Sequence, residues 1–302
     1  MTTRSVNPAD RKLWLAAIKP PMYSVAIMPI VVGSAVAYAE TSTFNGAIFF
    51  TFVVAAILIL AWENLTNDVF DSETGIDVNK SHSLVNLTRN KGLVFALGNL
   101  CLGLGIAGVV AIALQQQDPT VLGIILLCCG LGYVYQGPPF RWGYHGLGEV
   151  LCFLSFGPLA IGAAYYSQAQ SWSWSSQLAG VIVGLTTTLV LFCSHFHQVD
   201  DDVAAGKRSP IVRLGTKQGA ALVPWACGAV FAIAILAIVL GTFPLWTGLI
   251  LASALPAWRL ARHVNQFHNQ PQEVSGAKFY AIGFHFWSGV LLALGFWLST
   301  WS

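Results

Sequence analysis

Hydrophobic positions in this chain neither alternate nor recur at a helical interval; they run together in long blocks broken by short polar stretches. Nine windows of about 20 residues, the length a helix needs to cross a ~30 Å hydrocarbon layer, have uncharged interiors. They lie near residues 21–39, 46–66, 92–114, 119–137, 147–167, 176–196, 219–240, 243–262 and 279–300. Apolar backbone facing lipid must satisfy its own hydrogen bonds, so blocks of this length are helices; a barrel would show short segments of period two. The pattern predicts an all-α, polytopic membrane protein with nine transmembrane helices around a central cavity, forming one integral-membrane domain over residues 1–302.

Composition agrees: 55% of residues are hydrophobic and only 9% charged, outside the range of a soluble domain. The placement of charge adds orientation. Under the nine-span reading all fifteen Lys and Arg fall on one side, and the loops "ETSTFN", "QQQDP", "QAQSWSWS" and "GTFP" carry none. Cytoplasmic flanks collect cations, so the amino terminus and the basic loops are expected in the cytoplasm. Residues 1–20 read as an amphipathic cytoplasmic lead-in, with Trp14 and Leu15 on the membrane surface, and no signal peptide is expected. Cys101, Cys128, Cys129, Cys152, Cys193 and Cys227 sit in apolar blocks without ligand spacing and are expected to be unpaired packing residues. A net charge of +2 does not mark a nucleic-acid partner.

Against this background two polar stretches stand out. "NLTNDVFDSETGID", residues 64–77, carries four acidic side chains at the inner end of the second window. Asn67 and Asp71, four apart, share a helix face; Asp68 is one step round, and Gly75 can end the helix and fold Asp77 back over the cluster. "HQVDDDVAAGKRSP", from His197, repeats the theme four windows later. Three consecutive aspartates, Asp200, Asp201 and Asp202, repel one another unless solvated or neutralised, and Lys207, Arg208 and Arg213 follow directly. One acidic pair would mark no more than a membrane boundary; two clusters, each followed by cations, fit oxygen ligands for Mg²⁺ and donors for a phosphate. A third inner loop, "YQGPPFRWGYHGLGE", has Arg141 as its one cation, and the Pro138-Pro139 turn aims it at the cavity mouth. It also reads as an aromatic belt with a snorkelling arginine. His195 and His197, two apart, lack zinc-site spacing; His197 beside the second cluster is placed to orient a phenol or share a proton. The small residues Gly98, Gly103, Gly105 and Gly108 read as a helix-packing stripe.

At these residues the chain resembles the UbiA superfamily of intramembrane aromatic prenyltransferases: "NDVFD" is similar to its first N-D-x-x-D motif and "DDDVAAGKRSP" to its second aspartate motif. The resemblance implies a Mg²⁺ site built from Asn67, Asp68, Asp71, Asp200 and Asp202, with catalysis depending on Asp71 and Asp202. It implies diphosphate binding by Lys19, Tyr135, Arg141 and Lys207, and acceptor-side or supporting roles for Asp77, His197 and Gln198. Gln198 stands where many relatives have the first aspartate of the second motif, leaving open whether Asp200 or the Gln198 amide oxygen takes its place. The Asp77 spacing, "GKRSPIVRLG" and "HFHQVDDD" are most similar to the branch that prenylates 1,4-dihydroxy-2-naphthoate, in its phytyl-transferring cyanobacterial and plastid form.

That resemblance implies partners and place: a prenyl diphosphate, phytyl by this reading, an aromatic acceptor, and a thylakoid or plasma membrane with the site on the cytoplasmic side. It also implies that the naphthoate ring attacks an allylic cation at the carbon bearing its carboxylate, with loss of carbon dioxide and a proton. Homogentisate, 4-hydroxybenzoate or a chlorophyllide as acceptor is the nearest alternative. A transporter is the alternative of another class, but transport sites lie near the midplane on broken helices, whereas these acids gather at one face.

Overall fold

The computed structural model describes residues 8–76 and 83–301, and every regular element among the described residues is helical. In chain order these are α1 (Pro8–Ile18), α2 (Ser24–Thr41), α3 (Gly46–Thr74), α4 (Leu84–Thr88), α5 (Lys91–Gln116), α6 (Thr120–Gln136), α7 (Gly148–Leu154) and α8 (Ala160–Ala169). There follow α9 (Trp174–Ser194), α10 (Val199–Ala204), α11 (Pro210–Leu214), α12 (Thr216–Val239), α13 (Ala254–Phe267), α14 (Pro271–Val274) and α15 (Ala277–Leu298). Seven stretches are long and apolar enough to cross a membrane: Leu13–Thr41, Gly46–Thr74, Lys91–Gln116, Gly148–Ala169, Trp174–His197, Thr216–Val239 and Pro271–Trp301. This is an integral, multi-pass membrane protein. The two remaining windows are helical but shorter or irregular. α6 has 17 residues, and the stretch after α12 runs as a 3₁₀ helix over Leu245–Ser253 before becoming α13.

Local chemistry sets the ends of these helices. Asn45, Asn90 and Ser173 each accept a hydrogen bond from a backbone N–H of the first turn of α3, α5 and α9. Gly75 closes α3 at φ 79°, a left-handed conformation that glycine adopts without a Cβ clash. At the start of α6, Asp118 accepts from the Thr120 amide at 2.8 Å, the Thr120 hydroxyl at 2.6 Å and the Tyr166 hydroxyl at 2.7 Å. These bonds, the Thr120 hydroxyl foremost, hold its carboxyl below the usual aspartate range.

Two hydrophobic cores fill the bundle. One draws on α2, α8, α9, α12, α13 and α15, with Phe196, Phe284 and Phe296 at its centre. The other joins α3, α5 and α6 through Phe52, Ile112 and Val121. α2 and α8 belong to both: Val32 and Ile161 face the first core, Ile30 and Ala163 the second. The small-residue stripe of α5 is a packing surface, as expected, with one exception. A Cβ at Gly98, Gly105 or Gly108 would lie 3.2 Å, 2.8 Å and 3.2 Å from Leu65, Ile59 and Ala55 of α3, whereas Gly103 has nothing within 4 Å. Pro29 lies within α2, and Pro158 within a π-helical turn, Ser155–Leu159, that joins α7 to α8. All six cysteines are unpaired thiols.

Helix ends gather in two sets. At one, the Gln116 side chain donates to the Ser167 carbonyl, Gln170 to the Gln116 carbonyl, Tyr165 and Ser173 to Glu40, and Ser175 to the Thr242 carbonyl. The other holds the acidic clusters. In α1, Trp14, Leu15 and Ile18 are exposed and Ala17 is buried.

Candidate active site

α3 extends past its apolar stretch and carries Asn64, Asn67, Asp68, Asp71 and Glu73 on its last turns. Asp68 and Asp71 are buried, Asn67 half-buried. The Asp68 carboxylate lies 3.5 Å from the Lys19 ammonium and accepts a 2.8 Å hydrogen bond from the Leu84 amide. The chain therefore does return over the cluster after Gly75. Asp77 lies outside the described residues.

The second cluster is carried by α10. Gln198 and Asp202 are four apart, share one face, and are tied by a 2.8 Å backbone hydrogen bond. Asp202 is fully buried, whereas Asp200, half a turn away, is exposed. The Asp202 Oδ2 lies 3.2 Å from His195 Nδ1, and its Oδ1 lies 3.4 Å from Lys207 Nζ. Burial alone would raise this carboxyl's pKa; the His195 hydrogen bond and the Lys207 charge outweigh it and hold the group below its usual range. On its far side the His195 ring places Nε2 3.4 Å from Glu149 Oε1, so whichever nitrogen carries the proton faces a carboxylate. His197, half-buried, sits on the same 3₁₀ turn as His195.

Between the clusters runs the loop that joins α6 to α7, and one side chain in it touches both. The Tyr144 hydroxyl donates to Asp71 Oδ1 at 3.1 Å and lies 2.7 Å from the Thr74 hydroxyl. Its ring lies under the Lys207 ammonium, 5.8 Å from nitrogen to centroid, and its carbonyl accepts from the Arg208 amide at 2.8 Å. Burial, and then the Asp71 charge, raise the phenol's pKa, so Tyr144 remains a hydrogen-bond donor at neutral pH. Arg213 fastens the loop further, donating to the carbonyls of His145 and Arg208.

Arg141, in the same loop, places Nη2 3.2 Å from Glu73 Oε2, which brings this cation beside the first cluster. Its Nε is buried without a hydrogen-bond partner. Tyr135 is half-buried at the end of α6, its ring seated over Gly143 and Gly148, where a Cβ would lie 2.5 Å and 2.7 Å from its Cε2. Lys19 and Arg141 share a backbone peculiarity: both have positive φ, 53° and 43°, at the entrance to a 3₁₀ turn. Left-handed backbone at a residue with a Cβ is costly and gathers at functional positions.

The structure thus draws Lys19, Asp68, Asp71, Arg141, Asp202 and Lys207 to one end of the bundle, linked through Tyr144, and turns Asp200 outward. Sequence reading missed Tyr144, Glu149 and His195 as site residues. Tyr144 and Glu149 stood in a stretch that also read as an aromatic belt, and His195 was weighed only as a zinc ligand. Among the described residues no three or more His, Cys, Asp or Glu converge as a ready-made metal site. The donors fit Mg²⁺, which takes one or two carboxylates and completes its shell with phosphate oxygens and water. Arg141 Nε, a buried donor without a hydrogen-bond partner, is placed to meet an anion.

Comparison with known proteins identifies the family and the fold. The model of the UbiA prenyltransferase family matches residues 26–290. A 2-carboxy-1,4-naphthoquinone phytyltransferase of Synechocystis sp. is 55% identical over 97% of this chain and 95% of its own length. The chloroplastic protein of the same name from Arabidopsis thaliana is 41% identical, over 95% of this chain and 77% of its own length. The fold is similar to that of a UbiA homolog from Aeropyrum pernix, with a TM-score of 0.71 at 14% identity over 92% of this chain and 98% of that one. A homolog from Archaeoglobus fulgidus, solved bound to DMAPP and Mg²⁺, matches with a TM-score of 0.58 at 13% identity over 93% and 99%.

Proposed function

Since this chain belongs to the UbiA prenyltransferase family, we propose that it transfers a phytyl group from its diphosphate to 1,4-dihydroxy-2-naphthoate, with Mg²⁺ and with decarboxylation, in naphthoquinone biosynthesis. The observation that carries this reading is Tyr144, which joins Asp71 of the first cluster to Lys207 and Asp202 of the second, so that both clusters serve one headgroup.

In this reading Asn67, Asp68, Asp71 and Asp202 hold Mg²⁺, with Gln198 rather than the exposed Asp200 as the fifth donor because it shares the Asp202 face. The metal, when bound, neutralises charge on the departing diphosphate. Lys19, Arg141 and Lys207 supply the remaining positive charge and orient the phosphates, and Tyr135 bounds the same space. Glu149 and His195 fix Asp202 from behind, the arrangement that sets a carboxylate ligand's orientation. His197 stands near for the acceptor's phenol. The helix-walled interior excludes water from the allylic cation.

The acceptor is taken in its reduced form. A ring bearing two hydroxyls is electron-rich and attacks the cation at the carboxyl-bearing carbon; the carboxylate leaves as carbon dioxide, and the electrons of its bond restore the ring. A quinone would need two further electrons to reach the same product. Nine crossings, an amino terminus and active site on the cytoplasmic side, and a thylakoid or plasma membrane in a cyanobacterial cell complete the reading.

Purified protein in lipid nanodiscs, offered phytyl, geranylgeranyl and farnesyl diphosphates with several aromatic acceptors, tests it. We expect a phytylated naphthalenediol, carbon dioxide release, arrest by chelator and recovery with Mg²⁺. Asp71→Asn and Asp202→Asn should each lower turnover by about 100-fold or more while the protein stays folded. Near-normal turnover in either variant, or preference for another acceptor, would overturn the assignment.

A further inference from the structure

A pocket open on one side lies inside the bundle among α2, α3, α6, the π-helical turn and α8. Small-molecule sites pair an apolar wall with a few placed polar groups. This one has that character: Phe52, Ile59 and Phe156 form apolar wall, while Glu63, Cys128 and Ser155 bring polar atoms. Glu63 is the one carboxyl in the lining, and among the described residues it forms no side-chain hydrogen bond or ion pair.

Two independent features maintain the arrangement. α6 carries Gly132 opposite the carboxyl, where a Cβ would overlap Glu63 Oε1; the missing side chain leaves the space that the carboxyl occupies. Across the cavity the π-helical turn departs from helical backbone at Gly157, φ −99° and ψ −107°, and contributes Ser155 and Phe156 to the wall. Such turns recur at functional sites. Glu63 also lies one turn below Asn67 on the same side of α3, and about 12 Å along the axis from Asp71.

We propose that Glu63 binds the aromatic acceptor, its carboxyl accepting a hydrogen bond from a ring hydroxyl and so holding the ring in this cavity. The assignment rests on the prenyl-transfer reading above. A polyisoprenoid chain has no use for a half-buried carboxyl, whereas a ring diol has hydroxyls to offer it. The acceptor's own carboxylate would be drawn towards the cations at the site end.

The test is steady-state kinetics of nanodisc-embedded variants, with the Michaelis constants for acceptor and prenyl diphosphate measured separately. Glu63→Leu should raise the acceptor KM about tenfold, the weight of one lost hydrogen bond, and leave the prenyl diphosphate KM within about twofold. Glu63→Gln, which keeps an acceptor oxygen, should stay within about threefold of the unaltered protein. Gly132→Ala, which displaces the carboxyl without removing it, should follow Glu63→Leu and carries the test if that variant does not fold. An unchanged acceptor KM in the folded variants, or an equal rise for both substrates, overturns the assignment while leaving prenyl transfer intact. Failure of the unaltered protein to prenylate any aromatic ring would overturn the function and this role with it.

Discussion

Tyr144 is the residue on which the site's unity depends, because its hydroxyl and its ring answer to different clusters. Tyr144→Phe separates the two. The ring stays beneath Lys207, so the loop should keep its place, but Asp71 and Thr74 lose their common partner. We expect kcat/KM to fall about tenfold or more, since a hydrogen bond to a charged group contributes about 1.5–3 kcal/mol. Unaltered kinetics would show that the bridge is incidental. The acidic residues themselves were legible in the sequence because charge is scarce in an apolar chain. Their partners were not. Tyr144 and Asp71 are 73 positions apart, and nothing in local spacing distinguishes a tyrosine that crosses between clusters from one that lies in an interfacial belt. Asp200 shows the converse: composition puts three aspartates together, and only the helical turn of α10 decides that Asp202 points inward and Asp200 does not.

At the scale of elements, α3 and α5 show how the fold holds its site-bearing helix. Their contact runs along Gly98, Gly105 and Gly108, so α3 is braced by close backbone approach below the acidic turns. Gly105→Val would drive a side chain into Ile59 Cγ1, 2.8 Å from the new Cβ, and into the Ala55 carbonyl at 3.1 Å. Overpacking of this kind costs about 1–3 kcal/mol, and a lowered midpoint of thermal unfolding in detergent should report it. Gly103→Ala, with open space around the new methyl, serves as the control and should leave the midpoint unchanged. Long apolar runs made these helices legible, and the repeated small residue made the packing face legible. The irregular elements were not: the π-helical turn at Ser155–Leu159 and the 3₁₀ start at Leu245 lie inside apolar blocks whose composition matches that of a regular helix.

For the whole molecule the question is how many times the chain crosses. Seven stretches qualify by length and hydropathy, and the proposed nine crossings add two more. α6 starts beside Asp118 and Tyr166 and ends beside the site loop; the stretch from Leu245 starts next to Thr242 and ends at His268, whose ring meets Thr216 at the foot of α12. Single cysteines placed at Ser42, Gln117, Gln170 and Asn269 of a cysteine-free variant in sealed vesicles test the count. The first three should react with an impermeant thiol reagent from one side and Asn269→Cys from the other; all four on one side would refute nine crossings. A bundle so extensively packed can also tolerate local discomfort, and it does so at Lys19 and Arg141, where a residue with a Cβ occupies left-handed backbone at roughly 1 kcal/mol each. Glycine would relax both joints. A breeder of heat-tolerant variants would be drawn to those two substitutions first, and the hardier membrane protein obtained would have lost the two positive heads proposed to greet the diphosphate.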